Sequence, residues 1–246
     1  MHVAIMQPYF LPYIGYFQLV EAVDRFVVYD TVEYTKKGWI NRNRMLRNGE
    51  AVMFSVPLKK DSDFLQVRDR RLADDFDPVK LGNQFAGAYR KAQQFDLVMP
   101  VLREILSYKS ANLFDYIRNS LDRCCDYLGI TTPIVASSEI ETSSGLRGTA
   151  RVLSLCDALG ADRYTNAIGG LDLYRSSEFA ARGIALRFLR SRPDPYPQGG
   201  EPFQPYLSII DVMMHNPVED IRTMLREGFD IVDGREESDV SLAETR

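Results

Sequence analysis

Three side chains stand where chemistry is usually done in a layered α/β protein. Gln7 follows the apolar run HVAIM, Asp30 follows RFVVY, and Ser138 follows PIVA and Ser137. In open parallel sheets, ligands sit beyond the carboxyl ends of the strands. A carboxylate there can take a proton from an attacking nucleophile, and an amide or hydroxyl can orient one. Asp30, Gln7 and Ser138 are therefore the candidate catalytic groups. Tyr9, Tyr13, Tyr16 and Tyr29 lie next to the first two, and each hydroxyl supplies one hydrogen bond to a ligand. Glu139 follows Ser138. Gly169-Gly170 closes the run RYTNA, where glycines let backbone N–H groups approach a phosphate.

The segment TKKGWINRNRM, residues 35–45, concentrates the basic groups. Lys36, Lys37, Arg42 and Arg44 are interleaved with Trp39, Asn41 and Asn43. If residues 40–46 are a strand, Arg42 and Arg44 share one face and Asn41 and Asn43 the other. Two guanidinium groups on one face can clamp a diphosphate or a carboxylate. Trp39, the only tryptophan, can stack on a base or a sugar. The competing reading is a solvated hairpin whose charges guard an edge strand.

The elements that must position these groups follow from periodicity. HVAIMQP reads as a buried strand, YIGYFQLVEAV as a helix and DRFVVYD as a second strand, which together form a βαβ unit. Pro8 and Pro12 fix the loop between strand and helix, and Gly15 is expected to let the helix start close to the strand. RNGE carries a hairpin turn at Asn48-Gly49 between NRNRML and AVMFSVPL. Residues 72–128 show helical stripes, with starts at Asp77-Pro78 and Asn112 and a stop at Gly129. Strand and helix then alternate through TPIVASSEI, GTARVLSLCDALG, DRYTNAIGG, SSEFAARG and IALRFLR. A segment holding five prolines follows. LSIIDVMMHN and PVEDIRTMLREG close the chain as helices, and the polar stretch 235–246 reads as a disordered tail.

The expected fold class is α/β and Rossmann-like, with a mostly parallel sheet, helices on both faces and an inserted helical subdomain at about 72–128. Residues 1–234 would form one domain. Segments 3–7, 25–29, 51–56, 133–136, 163–167 and 184–189 would share one sheet. Gln7, Asp30, Arg42, Asn43 and Ser138 would line one cavity at its carboxyl edge.

Composition narrows the partners. The net charge of −4 over 246 residues gives no general basic field for nucleic acid. No apolar run reaches the roughly 20 residues of a membrane span, and the first residues lack a secretory leader. Three cysteines, two of them adjacent, and only two histidines imply a reduced, cytoplasmic protein without a multi-histidine metal site. The cysteines read as core, and Met213-Met214 as core or as a homodimer interface.

The motifs MQPYFLPYIGYF, DRFVVYD, KKGWINRNR, SSEI, ALGADRYTNAIGG and LSIIDVM, in this order from about residue 3 to 214, resemble the WbqC-like family. That resemblance implies a place in O-antigen or other surface-polysaccharide synthesis, a small-molecule substrate such as a nucleotide sugar, and a carrier protein as an alternative partner. The expected activity is a biosynthetic transferase that forms an amide, or passes an acyl or aminoacyl group, on an amino sugar. ATP or a thioester donor would be the cofactor. A weaker likeness joins Tyr13-Ile14-Gly15-Tyr16 to the His-x-Gly-His motif of the nucleotidylyltransferase and pantothenate-synthetase superfamily. It implies an ATP- and magnesium-dependent enzyme, although tyrosines replace both histidines. A metabolite-binding or assembly protein without catalysis is the third alternative.

Overall fold

The computed structural model describes residues 1–62, 64–200 and 202–234. The chain opens with strand β1 (His2–Met6), helix α1 (Ile14–Glu21) and strand β2 (Arg25–Val28), and β1 and β2 pair in parallel, Val3 opposite Arg25. Strands β3 (Arg42–Arg47) and β4 (Glu50–Ser55) form an antiparallel hairpin. Its turn is Asn48-Gly49, both left-handed at φ 52° and 79°, the geometry that favours this dipeptide. Helices α2 (Pro78–Tyr89), α3 (Phe95–Leu106) and α4 (Leu113–Leu128) follow. Asp77 caps α2 by accepting the Lys80 N–H at 2.9 Å, and Asn112 caps α4 by accepting that of Asp115 at 3.1 Å. Gly129 ends α4 at φ 74°, where a side chain would be strained.

The alternation then resumes with β5 (Ile134–Ala136), α5 (Gly148–Ala158), β6 (Arg163–Ala167), α6 (Ser176–Ala180) and β7 (Ala185–Ser191). Helices α7 (Ile209–His215) and α8 (Val218–Glu227) and strand β8 (Phe229–Asp233) complete the described fold. The sheet order is β5-β2-β1-β6-β7-β8, parallel except for the antiparallel pair β7–β8. This is a Rossmann-like α/β arrangement.

Two-residue alternation sends neighbouring strand side chains to opposite cores. Val3, Ile5 and Val27 pack with Val152, Leu155, Phe179 and Phe188 on one side. Ala4, Phe26 and Val28 join Phe17, Leu19, Leu121 and Ile221 in the other core, with the helices α2–α4 and the hairpin. Met213 and Met214 are fully buried in this second core, so their packing within the chain accounts for them. Cys124, Cys125 and Cys156 are buried free thiols. Burial pushes the Cys125 and Cys156 thiols up to about 12, and Cys124 well above its ordinary value.

Two expectations need correction. Residues 51–56 do not join the main sheet, because β4 pairs with β3 alone. The two expected final helices are present, but among the described residues a further strand, β8, follows them: FDIVD is short, and its strand character depends on β7 as a partner. The tail expected at 235–246 lies outside the described residues.

Candidate functional site

The carboxyl ends of β2 and β5 meet through Asp30. Its Oδ1 accepts the Ser137 hydroxyl at 2.6 Å and the Ser138 N–H at 3.0 Å, and the residue is buried. The Ser137 oxygen also lies 3.0 Å from the Thr31 hydroxyl. Asp30 is thus occupied in joining two strand ends. It lies beneath a cavity of about 730 Å³ whose wall includes Tyr29, Thr31 and Ser138.

The loop 141–148 also lines this cavity, turning through the left-handed Gly145 and Gly148 and delivering the amino end of α5. Arg68, Arg147 and Arg151 line the cavity, against Glu33 and Glu141. Arg147 pairs with Glu33 at 3.2 Å, both of them substantially exposed. The Arg151 guanidinium reaches the Ser137 carbonyl at 3.4 Å. Burial raises the Tyr29 hydroxyl pKa, while the adjacent Arg151 pulls the other way. Backbone N–H groups at a helix start and three guanidinium groups favour an anion.

A second cavity, of about 200 Å³, is lined by Tyr9, Pro12, Tyr13, Trp39, Asn43, Arg44 and Tyr206. Backbone bonds tie three segments together around it. Phe10 N–H donates to the Ile40 carbonyl at 2.8 Å, Ser208 N–H to that of Arg44 at 2.8 Å, and Ile209 N–H to that of Pro12 at 2.7 Å. Leu11, a non-glycine residue at φ 45°, is held by two bonds to its carbonyl: from Asn43 Nδ2 at 2.9 Å and from Ser208 Oγ at 2.7 Å. Gly15 explains the YIGY motif. A Cβ there would stand 2.3 Å from Tyr13 Cε2. The missing side chain clears room for the Tyr13 ring. Burial, then Tyr9 and Tyr206, push the Tyr13 hydroxyl up to about 12, so it remains a donor at neutral pH.

The candidate residues therefore divide between two cavities. Tyr29 and Ser138 line the larger one; Tyr9, Tyr13, Trp39, Asn43 and Arg44 line the smaller. Several others hold structure together. Tyr16 is buried and its hydroxyl donates to the Gln7 carbonyl at 3.0 Å, so it is not placed to touch a ligand. The Gln7 side chain accepts from the Tyr9 hydroxyl at 3.2 Å. Asn41 accepts from Tyr34 at 2.8 Å and donates to the Val56 carbonyl at 2.7 Å.

The Arg42 and Arg44 guanidinium carbons lie over the Trp39 ring, 6.0 and 5.5 Å from its centroid. Arg42 Nε donates to the Gly38 carbonyl at 2.8 Å, and its Nη2 to the Lys37 carbonyl. The paired clamp is thereby replaced by one arginine bonded to its own loop and one facing a cavity. Lys36 is exposed on that loop. Glu139 accepts the Ala136 N–H at 3.1 Å. Gly170 makes room for Asn166, whose Nδ2 lies 2.9 Å from where a Cβ would stand; neither Gly169 nor Gly170 lines these cavities.

Arg68, Arg147 and Arg151 were not among the sequence candidates. The available signal was SSGLRG between a strand and a helix, a glycine loop at a helix start. Among the described residues, no helix is long and apolar enough to cross a membrane.

The chain is 30% identical over 219 residues to "Uncharacterized protein Rv1507c" of Mycobacterium tuberculosis, covering 87% of this chain and 93% of that protein. No solved structure matches it. The profile of the WbqC-like protein family matches residues 7–223, nearly the whole chain, and the protein belongs to that family.

Proposed function

We propose that the protein is a biosynthetic transferase acting on an activated, nucleotide- or carrier-linked sugar or a related metabolite. The observation that supports a phosphate-bearing ligand is the cavity beyond β2 and β5 whose lining includes Arg68, Arg147, Arg151 and the start of α5. The surface-polysaccharide setting implied by the family resemblance supports an amino sugar as acceptor. The transfer is then amide formation from an acyl or aminoacyl thioester. The sugar amine adds to the acyl carbon, the C–N bond forms, the C–S bond breaks and a thiol leaves. A cavity carboxylate takes the amine proton and hands it to the departing sulfur; Glu141 lines the cavity, whereas Asp30 holds its floor together.

A nucleotidylyltransferase mechanism has less support. With Tyr16 buried and bonded to Gln7, the YIGY segment does not offer two side chains to a triphosphate.

Thermal unfolding with UDP-sugars, acyl-coenzyme A thioesters and ATP, each tested separately, checks the reading. A ligand at about 100 times its dissociation constant adds roughly 2.7 kcal/mol of stability. Stabilisation by a UDP-sugar or a thioester is expected. Stabilisation by ATP alone would transfer the assignment to nucleotidyl transfer. Binding of a UDP-sugar without turnover of any thioester would leave a binding protein.

A further inference from the structure

The smaller cavity has properties that the phosphate-binding reading does not use. Its walls are the rings of Tyr9, Tyr13, Trp39 and Tyr206. Trp39 and Tyr206 are exposed, at 41% and 50%, although large aromatic side chains usually gain most by burial. Tyr206 also adopts φ 57°, a region that disfavours a bulky side chain. Backbone held in such a conformation tends to occur at ligand clamps.

Arg44 supplies charge to the same cavity. Among the described residues, its buried Nε has no hydrogen-bond partner, and its Nη2 makes a 3.4 Å contact to the Tyr206 carbonyl. The other guanidinium N–H groups, held only by this long contact, retain donors for a ligand acceptor. The Nε and Nη edge of a guanidinium matches the two oxygens of a carboxylate.

Size and shape restrict the occupant. At about 200 Å³, the cavity lies below the roughly 300–1,000 Å³ of pockets for drug-sized ligands, so it suits a single ring. Tyr13 and Tyr206 meet at 66° with centroids 6.2 Å apart, which offers no parallel slot for a flat base between them. A saturated ring can place C–H groups against the part of Trp39 that the arginines leave exposed, and hydroxyls towards Tyr9 and Tyr13. We propose that this cavity is a binding site for a carboxylated pyranose, with its carboxylate on Arg44 and its ring on Trp39. The assignment is independent of the phosphate cavity.

Trp39 is the only tryptophan, so intrinsic fluorescence reports this cavity directly. D-glucuronate would be titrated into the full chain, with D-glucose and 4-hydroxybenzoate as parallel arms. A saturable fluorescence change with glucuronate, weaker by at least tenfold with glucose, is expected. Arg44→Gln should weaken glucuronate binding roughly ten- to hundredfold with an unchanged circular dichroism spectrum. Gly15→Ala should weaken it too, by displacing the Tyr13 ring from the wall, although residue 15 does not itself line the cavity. Absence of saturation by glucuronate would overturn the assignment. Equal response to glucose would remove the carboxylate contact, and saturation by hydroxybenzoate alone would replace the sugar with a flat aromatic acid. Unchanged affinity in a folded Arg44→Gln protein would also overturn it.

Discussion

The Asp30 carboxylate accepts the Ser137 hydroxyl at 2.6 Å, joining the end of β2 to the end of β5. The same oxygen accepts the Ser138 N–H. Asp30→Ala leaves two donors without their acceptor in a buried place, at a cost of about 1–3 kcal/mol for each unsatisfied group. Asp30→Asn keeps an acceptor oxygen and should lose less. Melting temperature measures this, at roughly 2–4 °C per kcal/mol for a chain of this size. Equal losses for the two variants would mean that the negative charge, rather than the acceptor, holds the strand ends together.

Leu11 offers a second test. Asn43→Ala and Ser208→Ala each remove one donor to its carbonyl and should each cost about 1 kcal/mol. Because the two donors share an acceptor, the double variant should lose more than the sum. Additive losses in denaturant titration would show that Leu11 keeps its conformation without them.

The thiols should be inert in the folded protein. Cys124, Cys125 and Cys156 are buried with raised pKa values, and the thiolate is the reactive form. Ellman's reagent should label none of them rapidly at neutral pH and all three after denaturation. Rapid labelling of one in the native protein would contradict their packing in the two cores.

His2 gives a pH dependence. Its ring bonds the Thr165 hydroxyl at 2.7 Å, and burial, then Arg163, hold its pKa below 6.5. The unfolded chain therefore takes up this proton at a higher pH than the folded one. The contribution is fully present above pH 6.5 and is lost as the pH falls through the depressed folded value. Melting temperature should rise as the pH is raised from below the depressed folded value towards 6.5, and His2→Gln should flatten that rise. An unchanged slope would mean that other groups produce it.

Local rules made much of this architecture legible. The apolar runs at 3–6 and 25–28, the caps Asp77 and Asn112, the Gly129 stop and the Asn48-Gly49 turn are all decided within a few residues. Sheet membership is not decided locally. AVMFSV has the same period whether it joins β5 or pairs only with β3, and FDIVD becomes a strand only beside β7. The site shows the same limit. Tyr16 and Tyr13 have the same side chain three residues apart, but the helix turns one inward to Gln7 and leaves the other in a cavity wall. Arg147 and Arg151 stand in the sequence as ordinary helix-start charges, and only the path of the loop 141–148 puts them in one cavity lining with Ser138.

Binding of UDP-N-acetylglucosamine, measured by isothermal titration calorimetry on the native chain and on Arg68→Ala/Arg147→Ala, tests the proposed phosphate site most directly. Arg147 is largely exposed and its pairing with Glu33 contributes little to folding, so the melting temperature should stay nearly constant. The dissociation constant should rise at least ten- to hundredfold, from the loss of charge-assisted bonds of about 1.5–3 kcal/mol. Equal affinity in the two proteins, or no measurable binding to the native chain, would contradict the assignment of the cavity beside α5 to a phosphate-bearing sugar.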